Sequence, residues 1–301
     1  MKPFIAAVDW GTSSFRIWLL DSAGHILAED RSDEGMMKAR EIGFPTVLDR
    51  HLVRMSADPE LPVMICGMAG AKQGWQEAPY VETPASLDDL VGRSVRVSAD
   101  YPIHILPGVC QRSFDAPDVM RGEETQLLGA FSKGAASGIV CLPGTHTKWV
   151  LMEKGTIRRF TTFMTGEIYA AIAGHTILKL ALAEGEDADP EGVAFTNAVL
   201  RAVEKPALAT SRIFAIRSAP LLNIAGTEDA AAKLSGELIG LEIAGALAQF
   251  GELSKVELIG SGKLATLYRA ALEAAGLSVH LTDADQAVRA GLLTAGRGHN
   301  S

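Results

Sequence analysis

A structural unit occurs twice in this sequence, and the repeat constrains the fold more than any other feature. In the first half, the apolar run 4–8 leads into Asp-Trp-Gly-Thr, and residues 15–30 are typical of a hairpin with its turn near Gly24. In the second half, the apolar run 139–142 leads into Pro-Gly-Thr-His-Thr, and a hairpin with its turn near Gly155 follows. Two unrelated hairpins would give a similar pattern, but the matched Gly-Thr loops favour a duplicated topology.

The repeat predicts two domains, over residues 1–135 and 136–301. Short apolar runs at 61–66 and 103–106 are bounded by Pro or Gly, which is typical of parallel strands. Residues 166–250 carry apolar side chains at three- and four-residue spacing, and this predicts a helical insertion in the second domain. The expected fold class is therefore α/β, with sheets flanked by helices.

The composition narrows the class of protein. Hydrophobic residues make up 48% and charged residues 21% of the 301 residues, which argues against a disordered chain. The formal net charge is -8 and no basic stripe is visible, so we expect no nucleic-acid partner.

The sequence also indicates where the protein works. The most apolar long stretch, 168–183, is interrupted by polar residues and predicts a core helix rather than a membrane span. The first apolar run contains Asp9 and lacks a signal-peptide cleavage pattern. The cysteines are odd in number and scattered, which is typical of reduced thiols; they are Cys66, Cys110 and Cys141. We therefore expect a cytoplasmic protein with no membrane partner.

The segment Asp-Trp-Gly-Thr-Ser-Ser-Phe-Arg leaves the end of the first strand and is rich in small residues. Gly11, Thr12 and Ser13 are candidates for phosphate binding, because glycine admits an anion close to the backbone and hydroxyls donate to phosphate oxygens. Asp9 is a candidate metal residue that would hold Mg²⁺ through water, and Arg16 could balance negative charge. An ordinary turn, in which Asp and Ser satisfy backbone amides, is the alternative.

The second Gly-Thr loop has the same chemistry at the matching place, without the carboxylate. Two such loops facing each other would hold a polyphosphate from both sides. Its candidate nucleotide-binding residues are Gly144, Thr145, His146, Thr147 and Lys148. His146 could donate to phosphate, but an exposed loop histidine without that role is an equal alternative.

A third glycine-rich loop, Gly260-Ser261-Gly262, lies between a predicted strand and a predicted helix. Small residues there allow a ligand to approach the amino end of the helix. The pattern superficially fits a dinucleotide fingerprint with Asp283 as a ribose partner, but such a fold needs several further strands and only one remains. It is not a Walker A loop, because Leu264 stands where Ser or Thr belongs.

Two adjacent acids, Glu123 and Glu124, open a predicted helix before the domain boundary. One of them could orient or deprotonate an attacking hydroxyl, and Glu124 is slightly favoured. Acidic residues in a first helical turn are equally often mere partners of the helix dipole. Both interpretations stay open.

Two further loops follow predicted strands and suit a polyol ligand. In the first, glycine allows close approach, Gln offers hydrogen bonds and Trp offers a stacking face. Its candidate residues are Gly67, Met68, Lys72, Gln73 and Trp75. The other candidates for this ligand are Gly166, Glu167, Ser14 and Arg16. A glycine-rich turn with Trp75 packed on the surface is the alternative.

Two hairpin phosphate loops and a late strand-Gly-x-Gly-helix together resemble the actin-like ATPase superfamily, which includes sugar kinases, exopolyphosphatases and chaperones. The resemblance implies two RNase H-like domains with mixed sheets flanked by helices, and a nucleotide in the cleft between them. It implies that ATP is bound with Mg²⁺.

The resemblance is closer still to the 2-dehydro-3-deoxygalactonokinases and covers nearly the whole chain. Its specific parts are Gly-Trp-Gln-Glu-Ala-Pro-Tyr and Gly-Thr-His-Thr-Lys-Trp. The segments that carry it are 8–14, 66–80, 121–126, 142–149 and 163–167. It implies a kinase that converts ATP and 2-dehydro-3-deoxy-galactonate into ADP and the 6-phosphate, in galactonate breakdown.

The resemblance also implies roles for the candidate residues. Asp9 would anchor the metal, and the two Gly-Thr loops would bind phosphates. Residues 260–262 would border the adenosine. Glu123 or Glu124 would be the catalytic carboxylate that helps to activate the hydroxyl. Many sugar kinases use an aspartate base, and no motif places one here. The Arg-Gly-Glu-Glu segment is more like the glutamate region of the exopolyphosphatases.

Two rival functions remain at this point. An exopolyphosphatase-like phosphohydrolase would cleave phosphoanhydrides without a sugar. A nonenzymatic ATP-dependent switch would change partners or assemble with nucleotide, and the helical stretch 166–250 could serve an interface in a homo-oligomer. The sequence does not distinguish a galactonate from a gluconate substrate.

Overall fold

The computed structural model describes residues 2–97, 102–131, 137–182 and 188–299. The chain divides into two compact units. The first comprises Met1–Ser137, Met152–Phe160 and Asp283–Ser301, and the second comprises Gly138–Leu151 and Thr161–Thr282. The main division lies near residue 137, and two later segments belong to the first unit, which a single boundary at residue 135 does not include. The functional domains 1–135 and 136–301 stay a prediction.

The first unit contains short strands, several of them consecutive, and four α-helices within the described residues before 131. They are β1 (Ile5–Trp10), β2 (Phe15–Leu20), β3 (Ile26–Ser32), α1 (Met36–Ile42), α2 (Phe44–Arg54), β4 (Val63–Gly67), β5 (Val81–Glu82), β6 (Ala85–Ser86), α3 (Leu87–Gly92), β7 (Val95–Val97), β8 (Ile103–Ile105), β9 (Val109–Gln111), β10 (Asp118–Met120) and α4 (Glu123–Ala130). The predicted strands of the opening meander and the two predicted parallel strands are confirmed.

The six-stranded sheet of the first unit has the order β3-β2-β1-β4-β8-β7. β1 runs parallel to β4 and β4 runs parallel to β8, whereas β1, β2 and β3 form an antiparallel meander. A small sheet has the order β10-β9-β5. Because β1 and β4 are parallel neighbours, their carboxyl ends meet at one edge, where open α/β sheets bind ligands.

The remaining elements follow, most of them in the second unit, whereas the end of β12, most of β13 and the closing helix belong to the first unit. They are β11 (Gly138–Leu142), β12 (Thr147–Glu153), β13 (Thr156–Phe163), α5 (Thr165–His175), α6 (Val193–Glu204), α7 (Ala209–Leu221), α8 (Ala230–Phe250), β14 (Lys255–Gly260), α9 (Gly262–Ala274), β15 (Ser278–Asp283) and α10 (Ala284–His299). These strands form a six-stranded sheet with β6, in the order β15-β14-β11-β12-β13-β6, and β11 is parallel to β14. The second strand-loop-hairpin unit is therefore confirmed.

The closing helix α10 completes the core of the first unit. Ala7, Met64 and Leu292 are fully buried in one apolar cluster that joins β1 and β4 to α10. The backbones of α4 and α10 approach closely, because a Cβ on Gly129 would lie 1.8 Å from the carbonyl oxygen of Ala287. Only glycine fits there, and α4 is held firmly beside α10.

The prediction of a core helix over 168–183 is wrong. The helix α5 contains no buried residue, and it ends at His175. A separate turn of 3₁₀ helix, Ile177–Leu180, follows, because the Thr176 side chain accepts a hydrogen bond from the amide of Leu178 and caps it; residue 183 lies outside the described residues. No helix in the described ranges is long and apolar enough to cross a membrane.

Candidate active site

The site in the first unit begins where β1 and β4 end. The register pairs Asp9 with Cys66 and Trp10 with Gly67. Gly67 has φ 87°, and a Cβ there would lie 2.6 Å from the carbonyl oxygen of Trp10. A glycine is therefore required for the backbone to turn away at this edge. The Cys66 thiol donates to Oδ1 of Asp9 across 3.8 Å.

Arg16 connects Asp9 to a residue from the far end of the chain. Its guanidinium forms ion pairs with Asp9 and with Asp285, and Arg31 contacts Asp285 at 3.0 Å. Burial lowers the pKa of Arg16, but the carboxylates of Asp9 and Asp285 raise it above its ordinary value overall. The positive charge of Arg16 is thus already neutralised by carboxylates of its own unit. Sequence reasoning missed Asp285, because no local pattern signals a partner so far along the chain.

The first Gly-Thr loop is fixed through its carbonyl groups. The amides of Met36 and Met37 donate to the carbonyl oxygens of Gly11 and Thr12, at 2.9 and 3.1 Å. Gly35 lies so close that a Cβ there would be 2.5 Å from the backbone of Ser13. The side chains that remain exposed are those of Thr12, Ser13 and Ser14. The loop therefore presents hydroxyl groups to solvent from a rigid backbone.

The paired acids have different surroundings. Glu124 is almost fully buried, and its carboxylate accepts hydrogen bonds from the amide of Gly122 at 2.7 Å and the hydroxyl of Thr125 at 3.0 Å. Burial, together with the negative charge of Glu123, raises the pKa of Glu124 to about 7. Glu123 is half-buried and accepts from the amide of Arg121 at 3.0 Å. Of the two acids, Glu124 is therefore the one with a pKa near neutrality, which is typical of acid–base residues.

Glycines bring Glu124 and Asp9 to the same edge of the sheet. Gly122 precedes α4 with φ 112°, and a Cβ on it would lie 3.8 Å from Cα of Gly67. Burial raises the pKa of the Cys66 thiol well above its ordinary value, and the carboxylates of Asp9 and Glu124 raise it further. Both acids therefore lie near Cys66, at the end of β4.

The loop after β4 packs one tryptophan against aromatic rings of the core. The ring of Trp75 lies 6.0 Å from Phe44 and 6.1 Å from Trp10, and it packs against the core. The amide of Trp75 donates to the carbonyl oxygen of Ala69 at 2.8 Å. The predicted stacking face of Trp75 is therefore engaged within the protein. Lys72 and Gln73 are exposed, and Met68 is half-buried.

In the second unit, the other Gly-Thr loop packs on the start of α5. A Cβ on Gly166 would lie 2.7 Å from the carbonyl oxygen of Gly144, and the amide of Glu167 donates to Thr145 at 3.1 Å. The Glu167 carboxylate contacts Nε2 of His146 at 2.5 Å. Two residue groups that the sequence analysis treated separately are therefore one cluster.

Behind this loop lies a buried hydrogen-bond network. Tyr268 connects Thr147, at 2.8 Å, to Glu242, at 2.7 Å, and Trp149 also donates to Glu242 at 2.8 Å. Burial raises the pKa of Glu242, although hydrogen bonds from Thr165, Trp149, Tyr268 and Thr147 oppose the rise. Lys148 is also buried, and its ammonium donates to the carbonyl oxygen of His146 at 3.1 Å. The network holds the carboxyl end of the loop through Thr147. It was not among the features that the sequence predicted.

A largely apolar cavity of about 190 Å³ opens beside the loop. It is lined by Gly144, Thr165, Gly166, Tyr169, Ala188, Ser235, Leu238, Ile239, Leu264, Leu267 and Tyr268. Gly260, Ser261 and Gly262 lie at the entry to α9, whose Leu264 and Leu267 form part of the wall. An apolar cavity bordered by a glycine-rich loop suits a flat aromatic ligand with a polar tail.

The donor set fits a magnesium ion held mainly by water and phosphate. In the described part of the chain, no group of three or more His, Cys, Asp and Glu side chains could hold a metal ion. Magnesium usually takes only one or two carboxylates and keeps several waters. Asp9 is 15% exposed at the strand edge and could accept from such a water.

The paired strand-loop-hairpin units define a class of protein. The fold is that of the actin-like ATPases and sugar kinases. A solved structure with this fold, the activator of 2-hydroxyisocaproyl-CoA dehydratase from Clostridium difficile with bound ADPNP, covers 98% of this chain and 95% of its own, with a TM-score of 0.53 and 12% identity. At that identity the likeness establishes the fold alone.

The chain belongs to the 2-keto-3-deoxy-galactonokinase family, whose sequence model it matches over residues 9–295. It is 55% identical to a probable 2-dehydro-3-deoxygalactonokinase from Rhizobium meliloti (strain 1021), over 98% of this chain and 97% of the relative. The 2-dehydro-3-deoxygalactonokinase of Escherichia coli (strain K12) is 32% identical over 95% of both chains. A crystal structure of a protein assigned this activity from Sinorhizobium meliloti has a TM-score of 0.95, at 55% identity and with 98% and 99% coverage.

Family membership settles the reaction class. The chain is an enzyme, a kinase that uses ATP and transfers a phosphoryl group to an alcohol group of a small sugar acid. The rival classes of a phosphohydrolase and a nonenzymatic switch are therefore not those of the family.

Proposed function

We propose that the chain transfers the γ-phosphoryl group of ATP to the 6-hydroxyl of 2-dehydro-3-deoxy-D-galactonate, as a step of galactonate breakdown. The observation that carries this proposal is the environment of Glu124, a buried carboxylate whose pKa is raised to about 7 beside the end of β4. The names of the relatives support the substrate.

Glu124 would accept the proton of the 6-hydroxyl as its oxygen attacks the γ-phosphorus. The bond between that phosphorus and the bridging oxygen of ADP breaks, and ADP leaves. A base with a pKa near the working pH is both available in its ionised form and basic enough to help. Gly67 and Gly122 carry no side chain, which would leave room for the hydroxyl to approach the carboxylate.

Different groups of the protein would bind the phosphates, the adenosine and the magnesium ion of ATP. The loop of Gly11, Thr12 and Ser13 supplies hydroxyl donors, and the proposed donors of the second loop are Gly144, Thr145, His146, Thr147 and Lys148. The apolar cavity beside Gly260, Ser261 and Gly262 would take the adenosine. Magnesium bound with ATP would neutralise phosphate charge, and Asp9 would hold one of its waters.

The sugar acid would contact the strand edge and the loop after β4. Lys72 is exposed and suits the substrate carboxylate, whereas Arg16 is already neutralised by Asp9 and Asp285. The other proposed contacts are Ser14, Gly67, Met68, Gln73, Trp75, Gly166 and Glu167. A cytoplasmic location is part of the proposal, and it is supported by three buried, free cysteines, which suit a reducing compartment.

The test is ADP release from ATP and Mg²⁺ with 2-dehydro-3-deoxy-D-galactonate, with its gluconate epimer, and without sugar. We expect release only with the galactonate compound, together with a 6-phosphorylated product. Equal release without sugar would contradict the transfer reaction, and a preference for the epimer would contradict the proposed stereochemistry. The affinity for ADP can be measured separately by calorimetry, so that a failure of catalysis is distinguished from a failure to bind nucleotide.

A further inference from the structure

A second cavity, of about 180 Å³, lies in the second unit among α6, α7 and the start of α8. Its charged lining consists of Arg201, Arg212, Lys233 and Glu237. Its other walls are small or apolar, and they are formed by Ala215, Ile216, Ala219, Gly226 and Ala230. We call it the cationic cavity. Its residues belong to no motif that the sequence analysis singled out.

Arg212 is held in place by a buried acid. Glu237 is 1% exposed, and its two carboxylate oxygens accept from Nε of Arg212 at 2.8 and 2.9 Å. The Nη2 group of Arg212 donates to the carbonyl oxygen of Lys205 at 2.9 Å. A buried carboxylate with a paired guanidinium fixes the orientation of the arginine and neutralises its charge.

The other two cations are less well compensated. Arg201 is exposed, and among the described residues its side chain has no hydrogen-bond or ion-pair partner. In the described part of the chain, the ion-pair partner of Lys233 is Asp229, at a long distance of 3.6 Å. The carboxylate of Glu228 also lies against Gly226 of the lining, so Glu228, Asp229 and Glu237 together balance the three cations. An anion would therefore be attracted by the donors of Arg201 and Lys233, which these carboxylates do not engage closely, rather than by a surplus of charge.

We propose that the cationic cavity binds a small organic anion, a phosphorylated or carboxylated metabolite, and that anion binding there is coupled to nucleotide binding in the apolar cavity. Arg201 and Lys233 supply donors from α6 and α8, and charge-assisted bonds from such groups to phosphate or carboxylate are the strong ones. The small side chains of Ala215, Ala219 and Ala230 leave the space that an organic group needs.

The helix α8 connects the two cavities. Lys233 and Glu237 line the cationic cavity, whereas Ser235, Leu238 and Ile239 of the same helix line the apolar one. An anion that joins Arg201 on α6 to Lys233 on α8 would restrain the helix that forms part of the nucleotide wall.

Close packing makes this restraint effective. A Cβ on Gly236 or on Gly240 would lie 2.6 Å from a carbonyl oxygen of α6, that of Phe195 or of Val199. The two helices therefore contact each other through their backbones, and a restraint on one acts directly on the other. An anion that rigidifies α8 would strengthen nucleotide binding, and nucleotide would strengthen anion binding by the same factor. The anion site itself does not depend on the proposed kinase reaction, whereas the coupling depends on nucleotide binding in the apolar cavity.

The test uses the full chain with ¹³C-methyl alanine and follows Ala215, Ala219 and Ala230 by NMR. Inorganic phosphate and gluconate 6-phosphate are titrated in turn, first without nucleotide and then with saturating ADP. We expect saturable shifts of these methyl signals as anion is added. The anion affinity obtained from the titration should be at least about 10-fold weaker in the double variant Arg201→Gln, Lys233→Gln, because two charge-assisted contacts are lost. The variant Arg269→Gln removes an exposed cation from α9, outside the cavity, and should bind as the wild type does.

The coupling has its own measurement, the affinity for ADP by calorimetry with and without the saturating anion. We expect the anion to tighten ADP binding about threefold or more in the wild type and to leave it unchanged in the double variant. Methyl signals that do not move, or equal titrations of the wild type and the double variant, would overturn the site. An ADP affinity that is the same with and without the bound anion would overturn the coupling and leave the kinase assignment unchanged.

Discussion

Glu124 in the first unit and Glu242 in the second are both deeply buried glutamates with a raised pKa, and the two differ in their surroundings. Glu124 accepts hydrogen bonds from its own amide, from the amide of Gly122 and from the hydroxyl of Thr125, and it lies beside glycine backbone at a strand edge. Glu242 is surrounded by aromatic and hydroxyl donors inside the unit. A carboxylate bonded by four side chains suits a structural role, whereas one beside glycine backbone with a pKa of about 7 suits the exchange of a proton.

The substitution Glu124→Gln tests the catalytic side of this contrast and should have the largest effect. We expect kcat to fall about 10²- to 10⁴-fold, because the proton acceptor is lost while the shape is kept. ADP affinity, measured by calorimetry, should be unchanged. A kcat within about twofold of the wild type would contradict a role as base.

The same variant should change the pH dependence of stability in a defined direction. Folding raises the pKa of Glu124, so its contribution to stability is fully present below the unfolded pKa and is lost as the pH rises through about 7. Glutamine does not ionise, and Glu124→Gln should therefore gain stability relative to the wild type at alkaline pH. Urea unfolding at acid and alkaline pH measures the difference.

The substitution Gly67→Ala tests whether the strand edge must be free of side chains. Gly67 has φ 87°, and the new Cβ would meet the carbonyl oxygen of Trp10 at 2.6 Å. We expect a loss of about 2 kcal/mol or more of stability, together with a loss of activity. Gly155→Ala is the matched control, because Gly155 has φ 74° with open space around it and should cost only about 1 kcal/mol.

The substitution Glu242→Gln tests the structural side of the contrast. The new amide would place a donor among Tyr268, Trp149 and Thr147, which already donate, so we expect a loss of about 1–3 kcal/mol of stability. The pH profile of kcat should keep the shape of the wild type. A shifted profile would show that Glu242, and not only Glu124, takes part in proton transfer.

The smallest effect is expected from Tyr268→Phe. It removes one hydroxyl that bonds both Thr147 and Glu242, and should cost about 1 kcal/mol in urea unfolding. The Michaelis constant for ATP should rise only a few-fold, because the second Gly-Thr loop loses one support. An unchanged stability would indicate that the network does not hold the loop.

Local chemistry explains what the sequence could predict. The ends of β1 and β4, the two Gly-Thr loops and the acids Glu123 and Glu124 are all marked by neighbouring residues in the chain. Short apolar runs bounded by glycine or proline also predicted the parallel strands correctly.

The missed residues depend on contacts between distant parts of the chain. Asp285 meets Arg16 only because α10 returns to the first unit, and Tyr268 meets Thr147 only through the packing of α9. The exposure of α5 was missed for a similar reason, because its apolar composition resembles that of a buried helix. Composition and periodicity do not report which neighbour a helix receives.

The most direct test of the central claim is the pH dependence of kcat for phosphorylation of 2-dehydro-3-deoxy-D-galactonate, with the wild type and Glu124→Gln side by side. The base is the ionised carboxylate, whose fraction grows as the pH rises. The account predicts that kcat of the wild type increases about tenfold per pH unit on the acid side and levels off near the pKa of about 7, whereas the residual activity of the variant lacks this step. A wild-type kcat that is flat across that range, or a step that persists in the variant, would contradict the assignment of Glu124 as the base.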